Sequence, residues 1–349
     1  MMIKTMLNGM YYSGMKSLCA PVFQGIGSIL MLHHVRDESA SDFAPNAHLS
    51  VSPQFLDITL LRLKQEGYRF VSLTELADKL KRGEFDQSEK PMICVTLDDG
   101  YRDNLENAAP IFRRHDVPYT IYVAPGMFDG THTIWWEDLE TVIRNNSRIA
   151  TGIPGHLRNI NTSTADEKDA AFRELMNYLT KQVSEADQRQ LVASLCKAHG
   201  HDAERHLKTQ VMNWSELKKL AQDPLCTIGA HTLGHYAVAR LDNETSEAEI
   251  KGSREVLEKK LSIPVEHFAY PYGNENSAGK RDFDIANKLA YTTAVTTRHG
   301  VVYPEHADHM MALPRISLNG SFQALRYVRT LLSGLPTRMS NRGKKLNVA

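Results

Sequence analysis

Three short stretches of this chain hold residue types that could do hydrolytic chemistry together. The first is Leu97-Asp98-Asp99-Gly100-Tyr101. Two adjacent carboxylates follow an apolar run, and neighbouring carboxylates repel unless a cation or a donor neutralises one of them. A metal ion on one acid and a general-base role for the other would resolve that repulsion. A solvated Asp-Asp-Gly turn is the bland alternative. The second stretch is His231-Thr232-Leu233-Gly234-His235. Histidines at i and i+4 face one side of a helical turn. Two imidazoles and one carboxylate leave an open coordination position, as a catalytic zinc requires. With 15 histidines in the chain a chance pair is easy, so the weight comes from both motifs following short apolar strands. The third stretch is Tyr270-Pro271-Tyr272-Gly273. Pro271 and Gly273 shape a tight loop, and the Tyr272 N–H could then face a developing oxyanion. By itself, a strand-ending turn with packed aromatics explains the third stretch better.

These motifs need elements to bring them together. Apolar runs at 29–32, 69–71, 92–97, 119–123, 226–230, 267–270, 292–295 and 312–316 read as strands, most of them buried. Helical patterns alternate with them. Ser52 and Pro53 open a helix whose apolar face is Phe55, Leu56, Ile58, Leu60, Leu61 and Leu63, with Gly67 ending it. A second helix is expected over 74–82, and Ser246 with Glu249 reads as a capping box opening another, with Ile250, Val256 and Leu257 on its core face. Strands alternating with helices predict an α/β fold, a barrel of parallel strands, in which active sites sit at the strand C-termini. Both metal-type motifs would then share one rim.

Residues 130–223 break the rhythm. They show no strand pattern, a polar loop over 145–168, two helical patterns at 170–183 and 184–198, and Trp135-Trp136 and Trp214 near the ends. The stretch reads as a helical insertion on the barrel rim. The tryptophans suit either stacking on a sugar ring or anchoring the insertion. The expected division is an N-terminal helical segment over 1–28, the barrel over 29–129 and 224–320, the insertion over 130–223, and a C-terminal helix and frayed basic tail over 321–349.

Composition sets outer limits. Of 349 residues 42% are hydrophobic and 23% charged, which is globular composition. Lys+Arg and Asp+Glu both number 41, so no global charge draws the chain to nucleic acid. Cys19, Cys94, Cys196 and Cys226 are too far apart to read as a disulfide framework or zinc knuckle, and free thiols in a reducing compartment are expected. No run of apolar residues is long enough to span a membrane. Near the N-terminus Met6, Leu7, Met10 and Tyr11 fall at helical spacing, with Lys4 and Lys16 among apolar residues. That suits a short amphipathic helix packed on the domain, or one in weak association with a membrane surface. No signal-peptide pattern is present, so a cytoplasmic protein, or one peripheral to the inner membrane, is expected.

Taken in order, Leu97-Asp98-Asp99-Gly100, His231-x-x-x-His235 and Tyr270-Pro271-Tyr272-Gly273 resemble the polysaccharide deacetylases of the NodB-homology type, carbohydrate esterase family 4. The resemblance covers roughly residues 29–318 outside the insertion. It implies a distorted (β/α) barrel of about seven strands and metal-dependent removal of an acetyl group from a sugar, usually N-linked. It further implies Asp99, His231 and His235 as ligands of one divalent ion, zinc by default, Asp98 as general base, and the Tyr272 N–H as oxyanion donor in a loop shaped by Pro271. Tyr101 and Asn104 would lie close to substrate.

Two departures from the family pattern matter. The catalytic histidine of the usual C-terminal leucine-x-histidine motif is absent, and Leu313-Pro314-Arg315-Ile316-Ser317-Leu318 stands there instead. Leu30-Met31-Leu32-His33-His34-Val35 resembles the N-terminal histidine strand of the permuted subgroup, which implies His33 as the acid. His34 would point to the opposite face of the strand. The arginine that pairs with the base in many members is replaced by Phe268 and Ala269, and Arg315 could do its work. The substrate class implied is an amino-sugar glycan or glycolipid intermediate. Two other readings remain open at this point, a hydrolase of a non-sugar C–N bond on the same fold and a catalytically silent glycan-binding module.

Overall fold

Each barrel strand is followed by a crossover over the outside of the sheet, so consecutive strands run parallel. The computed structural model describes residues 2–38, 41–83, 85, 90–153 and 155–348. The strands are β1 (Gly27–Leu32), β2 (Met92–Leu97), β3 (Tyr119–Val123), β4 (Cys226–Ala230), β5 (His267–Ala269), β6 (Thr293–His299) and β7 (Leu313–Ser317). They pair in chain order, and β1 closes the ring by pairing on one side with β2, from Gly27 opposite Met92 to Leu32 opposite Leu97, and on the other with β7, Leu30 opposite Ile316. The result is a closed parallel barrel of seven strands, with a short strand Arg69–Phe70 added to the start of β2. The register sets Leu32 beside Leu97, so the residues just after β1 and β2 emerge at one rim.

Helices α1 (Met2–Tyr12) and α2 (Met15–Phe23) precede the barrel, and α3 (Pro53–Gln65) and α4 (Leu73–Arg82) follow β1. Ser52 caps α3 through a hydrogen bond accepted from the Phe55 N–H, and Leu56, Leu60 and Leu63 are its buried face. Between β3 and β4 the chain builds α5 (Trp135–Asn145), α6 (Ala165–Lys181), α7 (Glu185–Ala198) and α8 (Ala203–Gln210), which share a second hydrophobic core. This region is not wholly helical. Arg148–Ala150 pairs antiparallel with Asn159–Asn161, a three-residue ladder too short and polar to register as apolar alternation.

Helix α9 (Asn243–Leu261) begins earlier than expected. Asp242 caps it by accepting from the Thr245 N–H. Ser246 lies inside the helix, buried, and donates to Asp282, while the Glu249 carboxylate accepts from the Gly234 N–H. The pair that resembles a capping box therefore tethers α9 to other elements.

The two ends of the chain meet. Leu7 and Met10 of α1 bury against Tyr327 of α10 (Leu325–Leu332) and Leu335 of α11 (Leu335–Ser340). The tail is not frayed, since Lys345 pairs with Glu305 and Val348 packs on the main core. Gly334 joins α10 to α11 at φ 71°, with the Phe23 carbonyl at the end of α2 where a Cβ would stand. Gly334→Ala should therefore cost about 2 kcal/mol or more, from left-handed strain plus overlap. The check is a thermal or denaturant melt, in which an unchanged midpoint would contradict this packing.

Candidate active site

The rim beyond β1, β2, β4 and β5 gathers nearly all the residues singled out from the sequence. Asp98 and Asp99 follow β2, and both are buried. Arg315 on β7 points inward and grips Asp98 with two parallel bonds, Nη1 to Oδ1 and Nη2 to Oδ2, each 2.7 Å. The remaining guanidinium donors reach the Thr296 carbonyl (2.8 Å) and the Thr96 hydroxyl (3.2 Å). Burial alone would raise the Asp98 pKa, but the charge and hydrogen bonds of Arg315 hold it well below the usual carboxylate range.

Asp99 has a different environment. Its backbone is left-handed, at φ 73°. Burial raises its pKa, and its Oδ1 accepts no hydrogen bond. The nearest polar atoms are the Nε2 atoms of His235 (3.2 Å) and His231 (3.6 Å).

The His231–His235 segment follows β4 but is not a helical turn. The histidines converge through an irregular loop in which Thr232 and His235 both adopt positive φ, 58° and 56°. Several groups hold it. The Thr232 hydroxyl accepts from the Tyr236 N–H, and Glu249 of α9 accepts from the Gly234 N–H. Arg189 of α7 donates to the carbonyls of Gly234 (3.1 Å) and His235 (2.8 Å) and stacks 4.1 Å from the Tyr236 ring centre. The His231 Nδ1 bonds the Ala269 carbonyl at 2.7 Å, which fixes the tautomer and leaves Nε2 bare. Burial drives both imidazoles down, His231 to about 4 and His235 to about 3, so each presents a lone pair at neutral pH.

This donor set fits a divalent cation. One unsatisfied carboxylate oxygen and two neutral imidazoles lie within 4.8 Å of one another, and a bound ion would satisfy all three.

His33 and His34 point opposite ways at the end of β1. The His33 Nε2 is 3.9 Å from the Asp98 Oδ2, and its side chain keeps 19% exposure, enough to meet a ligand at the rim. Burial lowers its pKa. Asn104 donates to the His33 carbonyl and fixes its backbone. His34 is sealed inside, bonded through Nδ1 to Asp103 (2.6 Å) and through Nε2 to Glu137 of α5 (2.8 Å). Burial opposes the charged form, yet these two carboxylates raise the His34 pKa to about 9.

The Tyr270–Gly273 loop follows β5 directly. Tyr272 has φ 60°, and among the described residues its N–H has no partner. Thr297 crowds Gly273, where a side chain would strike the Thr297 N–H. The Tyr272 hydroxyl accepts from Trp135 Nε1. Tyr101 differs from expectation. It is fully buried, stacked 3.5 Å from the His34 ring, and its hydroxyl accepts from Trp136 Nε1, so it supports the site from beneath and does not face substrate. Asn104 is likewise buried. Trp135 and Trp136 are buried anchors of α5, and half-buried Trp214 bonds Asp129.

Several supports carry no sequence signal of their own: Asp103, Glu137, Arg189 and Glu249. Each is an ordinary surface-type residue until the fold places it against the site. Only the capping-box-like spacing of Glu249 marked any of them.

Residues 177–294 match the family model for polysaccharide deacetylase, a span that holds His231, His235 and Tyr272 and begins within α6. Over that span the chain is similar to the polysaccharide deacetylases. The chain has the fold of several solved deacetylases. Streptococcus pyogenes deacetylase PplD, solved in complex with acetate, superposes with a TM-score of 0.58 at 20% identity over 87% of this chain and 97% of its own. IcaB from Ammonifex degensii gives 0.55 at 18% over 89% and 98%. A de-N-acetylase from Aggregatibacter actinomycetemcomitans gives 0.55 at 12% over 87% and 98%. No curated protein sequence matches the chain.

The His34 clamp predicts a pH dependence of the protein's stability. Its folded pKa, about 9, exceeds the ordinary 6.5, so its stabilisation is full below pH 6.5 and is lost as pH rises through 9. The contribution is about 3 kcal/mol. Urea melts from pH 6 to 10 should show this decline, and His34→Gln should flatten it and lower stability at pH 6. Parallel slopes in both proteins would contradict it.

Proposed function

We propose that this protein is a deacetylase that removes an N-acetyl group from an amino sugar in a glycan or glycolipid intermediate, with Asp99, His231 and His235 holding one divalent ion. The observation that carries the reading is the pairing of unlike acids at one rim: Asp98 is locked ionised by Arg315, while Asp99 faces two bare imidazoles. A divalent ion held there, zinc by default, supplies the electrophile for the amide carbonyl and lowers the pKa of water.

The chain's own groups divide the remaining work. Asp98 is the base that takes the proton of the attacking water. Arg315 occupies one lone pair on each Asp98 oxygen, keeps the group charged and fixes its plane. The Tyr272 N–H donates to the carbonyl oxygen as negative charge gathers on it, from a loop that Pro271 turns. His33, on the Asp98 side of the rim, protonates the leaving amine, a step that an already engaged aspartate cannot perform as well. The N-terminal histidine strand that closes the barrel is also the basis for the likeness to the permuted subgroup.

The activity test is acetate release from chito-oligosaccharides by the metal-loaded protein. Asp98→Asn should retain metal and lose about 10²–10⁴ in rate. Asp99→Ala, His231→Ala and His235→Ala should lose metal and turnover together. His33→Ala should keep metal and lose more rate on the amide than on an activated ester, whose leaving group needs no proton. Bound metal with no acetate released from any sugar would favour a non-sugar C–N substrate. Unchanged acetate release by Asp98→Asn would overturn the base assignment.

We also propose that the cap formed by the two chain ends lies on an anionic membrane surface. Ile3, Met6, Tyr12, Met15, Leu18 and Val22 are exposed apolar residues of α1 and α2, joined by Met339 of α11. The chain has no acidic residue before Asp37 or after Asp308, while Lys4, Lys16, Arg338, Arg342, Lys344 and Lys345 fall in those two segments. Apolar and basic residues together suit the negatively charged cytoplasmic leaflet, where a glycolipid substrate would be at hand. No helix among the described residues is long and apolar enough to cross a membrane. The protein should sediment with vesicles containing phosphatidylglycerol but not with pure phosphatidylcholine, and should be released by salt. Leu18→Glu with Val22→Glu should abolish binding. Equal binding to both vesicles, or to neither, would refute the docking.

A further inference from the structure

A second cluster of metal-type ligands lies away from the rim, among the helices between β3 and β4. Asp138 of α5, Cys196 near the end of α7 and His201 in the turn after it place ligand atoms within 4.8 Å of one another. Asp138 is wholly buried and Cys196 nearly so. The carboxylate is lopsided. Its Oδ1 takes hydrogen bonds from His201 Nε2 (2.7 Å) and His206 Nδ1 of α8 (2.8 Å), while its buried Oδ2 accepts none. Thr133 comes near the group without filling that place. Two imidazoles and a thiol thus surround a carboxylate with a bare oxygen.

We propose that Asp138, Cys196 and His201 bind a second divalent cation of zinc type, with His206 retained on Asp138 as the group that orients it. A thiolate, an imidazole and a carboxylate are a donor set that favours zinc over the hard cations. Tetrahedral zinc sets its ligand atoms roughly 3.3–3.8 Å apart, so side-chain adjustment alone would close this group. His201 would move the proton it now donates from Nε2 onto Nδ1 and bind through Nε2, and Cys196 would give up its thiol proton, so one proton leaves for each ion bound.

The placement gives this ion a task. It would tie α5, α7 and the turn leading to α8. The residue before Asp138 is Glu137, which clamps His34, and α7 carries Arg189, which holds the carbonyls of Gly234 and His235. One ion in the insertion would thereby stiffen two supports of the rim without touching substrate.

The test uses cobalt in place of zinc in the full-length protein, because the rim set contains no sulfur. Wild-type protein should bind two equivalents and show a near-ultraviolet thiolate-to-cobalt charge-transfer band. The double variant Asp99→Ala, His235→Ala should keep one equivalent and the band. Cys196→Ser should lose the band and one equivalent, while Cys226→Ser keeps both. If Cys196→Ser does not fold, His201→Gln should shift or abolish the band in protein whose circular dichroism is unchanged. A wild-type protein without the band, or a band that survives both Cys196→Ser and His201→Gln, would overturn the second site. Loss of the rim equivalent alone would bear on the proposed catalysis and leave the second site standing.

Discussion

The ion pair between Arg315 and Asp98 is the constraint around which the barrel is arranged. Both groups are sealed from water, so neither could be tolerated alone. Leaving one partner unpaired in such a place costs several kcal/mol. The pair also spans the seam where the ring closes, since Arg315 stands on β7, Asp98 follows β2, and β1 lies between them. Closure of the barrel and ionisation of its central carboxylate are therefore one event. A barrel left open at that seam would strand a buried charge on each side.

Around this pair the backbone is bent into conformations that side chains usually avoid. Asp99, Thr232, His235 and Tyr272 all have positive φ without being glycine, half of the eight such residues in the described structure. Each costs of order 1 kcal/mol or more and survives only where its surroundings over-determine it. Here those surroundings are identifiable: Arg189 and Glu249 on the His231–His235 loop, Thr297 against Gly273, and Phe128 and Val123 against Gly100. The strain lies at the residues that would touch the metal and the carbonyl, and the supports lie outside them.

What could be read from the sequence follows from this division. The strands were legible because each is a short, continuous apolar run between turn-forming residues. The rim motifs were legible because paired acids and paired histidines are costly unless used. Arg315 could be inferred from a missing partner, as an ionised carboxylate in a barrel needs a cation and the expected position held Phe268 and Ala269. The supports were not legible, since Arg189 and Glu137 lie far from the motifs in sequence, and Asp103, though four residues past Asp99, gives no sign of the histidine it holds. The same gap explains two misread features. The histidines of 231–235 meet through left-handed residues, which no helical period describes. Tyr101, next to the acids in sequence, stacks inward on His34.

The insertion is also more than a decoration of the rim, because Arg189 and Glu137 reach from it into the barrel's working face.

The ring order has a consequence for how the chain is made. Strand β1 leaves the ribosome first but finds one of its two neighbours, β7, only after nearly the whole chain has followed. Until then an apolar edge and the future partner of a buried arginine must wait unpaired. Such long-range closure is slow and exposes the nascent chain to wrong pairings.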